Sequence, residues 1–185
     1  DRAWSAFQYY RARGFEPLKR FADALAAEAT RRNGCDLPDL RYFANGCYYA
    51  NLKSYFDRFP WRQMRVYLYE EWSQQPQAVL RDIFSFLGVE ATVLIQPQRL
   101  NVTISYRHLW LHRFLDEPNA ARQVLDTILL RRWRARVYGK LRAYNRRPLP
   151  ALDLEFRRAL TERYRSDIEQ LQSLINCDLS HWLMD

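Results

Sequence analysis

The stretch MRVYLYEEW, residues 64–72, constrains the fold more than any other. Met64, Val66 and Leu68 alternate with Arg65, Tyr67 and Tyr69, and the run is rich in β-branched and aromatic residues. That is the two-residue period of a strand. Nearly everything else in the chain reads as helix. Backbone N–H and C=O groups along a strand must be paired, and a strand on its own leaves them unpaired. Residues 64–69 are therefore expected to belong to a sheet. The chain opens on Asp1 and runs at once into an amphipathic aromatic segment, DRAWSAFQYY, so the partners of that strand are expected upstream of Asp1.

Helical periodicity covers residues 3–12, 21–32, 48–59, 76–87, 106–115, 120–144 and 153–175. Phe21, Leu25 and Ala29 recur every four residues, and Asn33–Gly34 stops their helix ahead of a loop containing Pro38. Gly46 precedes the third helix and Pro60 ends it. Pro76 suits a first helical position and Gly88 the left-handed cap at the other end. Residues 91–104 read as irregular with short extended pieces. Pro148 and Pro150 separate the last two helices, and Asp153 is placed to cap the final one. The 185 residues suffice for one domain with a sizeable core, assigned to residues 1–185, and no apolar run reaches the length of a membrane span.

The net charge is +8 and only Lys19, Lys53 and Lys140 are lysines, so the excess is arginine. Its two readings are codon preference and an anionic partner, since the planar guanidinium grips phosphate and sulfate oxygens as a fork. Cys35, Cys47 and Cys177 lack the spacing of a zinc site or a disulfide framework, which points to a reducing compartment, hence the cytoplasm. His108 and His112 stand four apart on a helix, but no metalloprotease motif accompanies them, and no metal is assigned. Arg131, Arg132, Arg134 and Arg136 cluster around Trp133, which keeps open a non-catalytic basic helical module for nucleic acid or a protein partner. Interleaved apolar residues and the lack of a helix-turn-helix or RNA-binding signature weigh against nucleic acid.

Four motifs in order carry a family resemblance. DRAWSAFQYY resembles the segment R-[ND]-P-x-[DE]-R-[AL]-x-S-x-[YW] of sulfotransferases that use 3′-phosphoadenosine 5′-phosphosulfate (PAPS). GCYYANLKSYFDRFP resembles the family's G-x-Y helix, and MRVYLYEEWSQQPQAVLRDIFSFLGV its strand, acidic turn and helix. ALTERYRSDIEQLQSLINCDLSHWL resembles its closing helix and D-L-x-x-W end. The nearest relatives in style are bacterial carbohydrate sulfotransferases and the sulfotransferase domain of heparan N-deacetylase/N-sulfotransferases. The resemblance implies an α/β, P-loop-like fold with a parallel sheet, of which this chain would be the mostly helical C-terminal portion. It implies sulfuryl transfer from PAPS to a hydroxyl or amine, with a carbohydrate or other small acceptor and without a metal. The 5′-phosphosulfate loop and the catalytic base would lie upstream of Asp1; Gly139–Lys140 lies inside a helical run and is no such loop. In a eukaryote the family would place such a protein in the Golgi lumen.

The resemblance also assigns candidate residues. Ser5 takes the position of a serine that holds the cofactor's 3′-phosphate, and a hydroxyl on a first helical turn suits an anion. Asn145, Arg146 and Arg147 align with a basic Lys–Gly loop that closes over that phosphate; the glycine is missing, and two guanidinium groups offer compensation. Tyr106 stands where members supply an aromatic beside the adenine. Asn51 replaces an acceptor-facing histidine: it can hydrogen-bond a sugar but cannot relay a proton at neutral pH. Glu70 and Glu71 form an acidic turn read as structural. Asn101–Val102–Thr103 is a glycosylation sequon with meaning only in a secreted protein.

Overall fold

Helix Leu154–Ile175 is the longest element of the computed structural model, which describes residues 1–31, 40–90, 104–128 and 131–184. Its 22 residues span about 33 Å at 1.5 Å per residue. The Asp153 side chain accepts from the Phe156 amide at 3.0 Å and starts it; Asn176, in the left-handed conformation at φ 51°, ends it. In chain order the elements are α1 (Arg2–Ala12), α2 (Phe21–Arg31), α3 (Tyr49–Phe56), α4 (Tyr69–Gln74), α5 (Pro76–Leu87), β1 (Ile104–Tyr106), α6 (Leu109–Asp116), α7 (Ala120–Ile128), α8 (Arg131–Asn145), β2 (Arg146–Pro148) and α9 (Leu154–Ile175).

The two halves of α9 serve two cores. Leu160, Phe156 and Tyr164 pack with Phe7 of α1, Phe21 and Leu25 of α2, and Leu40 and Tyr42. Leu171 and Ile175 pack with Tyr49, Leu52 and Phe56 of α3, with Val66 and Leu68, and with Leu179 and Trp182 of the chain end. A third core joins Leu111 and Leu115 of α6 to Tyr138 of α8. Three carboxylates tie loops to these cores. Glu16 meets Arg31 in a fork of 2.7 and 2.8 Å and also accepts from the Tyr42 hydroxyl and the Leu18 amide. Glu28 accepts from the amides of Phe43 and Ala44, both at 2.8 Å. Asp167 accepts from the Tyr48 and Tyr49 amides at 2.8 and 3.3 Å and so caps α3 from outside its own helix. Gly46 lies under the Tyr164 hydroxyl, where an added Cβ would come within 2.5 Å of the oxygen.

Residues 64–68 are extended at both ends but form no strand ladder among the described residues. Their alternation is nevertheless used. Val66 and Leu68 face the core beneath α9, while the Arg65 guanidinium lies 4.5 Å from the Phe86 ring and the Tyr67 hydroxyl donates to Asp82 at 2.6 Å, both on α5. The described part of the chain is thus mostly helical, and the expected parallel sheet is not found in it. Its sheet has two strands, β1 and β2, paired antiparallel with Ser105 opposite Arg147 and Tyr106 opposite Arg146. Two further expectations are corrected here: Tyr106 ends a strand instead of starting a helix, and Arg146 and Arg147 form a strand instead of a loop. A three-residue strand shows too little of the two-residue period to be read as one. Of the helix expected over residues 120–144, α7 and α8 are described, and residues 129–130 between them lie outside the described residues. Cys35, Pro38, Asn101–Val102–Thr103 and residues 91–103 lie outside the described residues. No helix among the described residues is long and apolar enough to cross a membrane.

Candidate functional site

The site is built on the junction of α8 and β2. Asn145, the last residue of α8, is 1% exposed. Its side-chain oxygen accepts from the His108 amide at 2.8 Å, its side-chain nitrogen donates to the His108 carbonyl at 2.9 Å, and its own carbonyl accepts from the Arg107 amide at 2.8 Å. Both ends of the carboxamide are therefore committed to the backbone after β1. Asn145 fixes the register from which Arg146 and Arg147 project. Those two arginines are exposed; Arg147 Nε donates to Ser105 Oγ at 3.3 Å, and Arg146 makes no ion pair among the described residues.

Tyr106 is braced from one side. Its ring stacks on His112 at 3.8 Å with the planes 9° apart. His112 Nδ1 donates to Asp116 Oδ2 at 2.8 Å, and Asp116 Oδ1 accepts from Arg142 Nε at 2.8 Å. Burial alone would lift the Asp116 carboxyl, but the hydrogen bonds from Arg142 and His112 outweigh it and hold the group below the ordinary aspartate value. Tyr106, His112, Asp116, Arg142, Asn145 and Arg146 line one indentation. Sequence reasoning did not single out Asp116 or Arg142. It read His112 against His108, whereas the partner one turn further on, Asp116, is the one it meets, and His108 lies beside Trp110 at 6.2 Å.

Helix α1 lies against β1, and the Trp4 indole donates to the Pro150 carbonyl at 2.8 Å, so α1 is tied to the segment after β2 as well. Ser5 is half-buried on the first turn of α1. Arg2, one turn back, donates to the Tyr48 hydroxyl at the start of α3 and lies over its ring. Asn51 stands apart on the exposed side of α3. The acidic turn has structural work: Glu71 accepts from the Leu68 amide at 3.1 Å, and Glu70 accepts from the Trp182 indole at 3.2 Å. The D-L-x-x-W end is thus locked onto α4. Among the described residues no group of histidines, cysteines and carboxylates could hold a metal ion.

No family model and no curated protein matches the chain. Among solved structures, a sulfotransferase from Alicyclobacillus acidocaldarius matches 97% of the chain with a TM-score of 0.64 and 25% sequence identity. The chain resembles a bacterial sulfotransferase. It spans about half of that structure, 52% of its length. The likeness extends over nearly all of this chain.

Proposed function

We propose that the chain forms the 3′-phosphate and acceptor side of a PAPS-dependent sulfotransferase acting on a hydroxyl or amine of a carbohydrate. One observation carries the reading. The β1–β2 ladder sets Tyr106 opposite Arg146, 40 residues apart in sequence, and α1, which carries Ser5, packs against β1, in a chain that resembles a sulfotransferase. In this reading Arg146 and Arg147 bind the 3′-phosphate with charge-assisted hydrogen bonds, Ser5 adds a hydroxyl, and Tyr106 offers its ring to the adenine. Asn145 acts by positioning. Asn51 contacts the acceptor as a hydrogen-bonding group. In the reaction the acceptor oxygen or nitrogen attacks sulfur in line, its bond to the phosphate oxygen breaks, and the acceptor's proton passes to a base. Positive groups stabilise the charge that develops on the transferring group and the departing phosphate.

The test is calorimetry on the whole polypeptide with adenosine 3′,5′-bisphosphate and adenosine 5′-phosphate. The bisphosphate should bind more tightly, and rising salt should weaken it because part of the attraction is Coulombic. Arg146→Ala with Arg147→Ala should remove the preference and flatten the salt dependence. A double variant that keeps the full preference would remove the β2 arginines from the site.

A further inference from the structure

The indentation at the α8–β2 junction holds one carboxylate among cations. Its lining includes Tyr106, His112, Asp116, Arg142, Asn145 and Arg146, and Asp116 is the only acid among them. A carboxylate beside a phosphate-binding arginine works against the site in two ways. It repels the phosphate, and it competes with the phosphate for the guanidinium. Here both oxygens of Asp116 already have partners. Oδ2 meets His112 Nδ1 at 2.8 Å on its own helix, and Oδ1 meets Arg142 Nε at 2.8 Å across from α8. The Arg142 guanidinium is held a second time, because its Nη2 donates to the Leu115 carbonyl at 2.9 Å. Arg122 reaches the same carbonyl at 2.6 Å, but it lies 3.9 Å from an acid of its own, Asp126. Arg142 is thus the guanidinium that neutralises Asp116. Arg146 lines the same indentation and makes no ion pair among the described residues.

We propose that Arg142 is a positioning residue for recognition of the 3′-phosphate: by occupying Asp116 it leaves Arg146 to the ligand. The inference rests on the transferase reading and adds to it a residue that acts without touching the nucleotide. Without Arg142 the formal charge of the indentation falls by one, and an unneutralised carboxylate draws Arg146 to itself. The phosphate would then have to break an ion pair before it binds. Asp116 has its own use on the adenine side, since it holds His112, on which the Tyr106 ring stacks. One acid serves the base, and one arginine shields the phosphate from that acid.

The experiment is calorimetry on the whole polypeptide, read as the ratio of its affinities for adenosine 3′,5′-bisphosphate and adenosine 5′-phosphate. The ratio cancels losses on the adenine side, which both ligands share. Arg142→Gln should lower the ratio by roughly tenfold or more, the loss of one charge-assisted hydrogen bond to the 3′-phosphate. Asp116→Asn with Arg142→Gln should restore it, although the double variant lacks every contact that the single one lacks. That rescue separates charge from folding, because a merely structural Arg142 gives no reason for a second lesion to repair the first. Asp116→Asn alone should raise the ratio and steepen its dependence on salt, as the indentation loses its acid. An Arg142→Gln ratio equal to the parent's would overturn the proposal. So would a double variant no better than the single one, which would make Arg142 a direct phosphate ligand or a brace of the fold. A parent with no preference for the bisphosphate would instead sink the transferase reading, and this inference with it.

Discussion

At the scale of single residues, two contacts can be tested directly. Gly46 is required by Tyr164: a Cβ there would lie 2.5 Å from the hydroxyl oxygen and 2.9 Å from Cζ, while the same hydroxyl donates to the Phe43 carbonyl at 3.1 Å. Gly46→Ala should therefore cost about 1–3 kcal/mol by overpacking. Tyr164→Phe alone should cost about 1 kcal/mol for the lost hydrogen bond. Because Tyr164→Phe removes the atom nearest the new methyl, the double variant should be less destabilised than the sum of the two, as read by urea unfolding. Strict additivity would show that the methyl is accommodated elsewhere. The second contact is the ring stack. On the proposed reading His112 backs Tyr106, and Tyr106 meets the adenine, which both adenosine nucleotides share. His112→Ala should weaken adenosine 3′,5′-bisphosphate and adenosine 5′-phosphate alike, by about 1 kcal/mol. The Arg146/Arg147 variant should affect only the bisphosphate. If His112→Ala instead erased the preference for the 3′-phosphate, the histidine would belong with the arginines.

At the scale of elements, α3 depends on a side chain from another helix. Its first amides are satisfied by Asp167 of α9, with no side-chain cap from Tyr48. Asp167→Ala should cost roughly 1–2 kcal/mol and raise hydrogen exchange at the start of α3 before it does so in α9. Uniform exchange in both helices would mean that α3 and α9 open as one unit. This cap shows where sequence reading runs out. Local signals gave α5 to the residue, because Pro76 and Gly88 fix its ends through their own backbone preferences, and gave the start of α9 through Asp153. Asp167, Glu16 and Glu28 look like ordinary helix and loop carboxylates in sequence, since the partners that tie them to other elements are 15 to 119 residues away. The alternation over residues 64–68 was legible and is physically used, but strand pairing is a property of neighbours, which the pattern does not contain. Ser5, Tyr106, Arg146 and Arg147 were singled out by motif position and remain proposed site residues. The brace of His112, Asp116 and Arg142 behind them was missed because Arg142 reaches Asp116 across 26 residues.

At the scale of the whole molecule, the core formed by α1, α2 and α9 is closed in part by a buried carboxylate, Glu16. Glu16 is 4% exposed and joins the α1–α2 connection to Arg31 at the end of α2 and to Tyr42 beyond it. Burial alone would raise its carboxyl; the Arg31 fork, the Leu18 amide and the Tyr42 hydroxyl outweigh that and hold it below the ordinary glutamate value. A carboxyl depressed in the folded state contributes stability that is complete above its unfolded pKa, about 4.3, and is lost as pH falls through the lower folded value. Urea unfolding should thus find the protein's stability independent of Glu16 ionisation at neutral pH and falling below about pH 4–5. Glu16→Gln keeps the shape and one acceptor but removes the charge that Arg31 needs. It should be less stable at neutral pH by roughly 1–3 kcal/mol, because the charge-assisted fork between Glu16 and Arg31 is lost. The gap between parent and variant should then narrow as the parent's own Glu16 is protonated, so that the two stability curves converge in acid. Parallel curves down to low pH would mean that the carboxylate acts through its hydrogen-bond geometry alone, and that the acid sensitivity of the fold resides in other carboxyls such as Asp116.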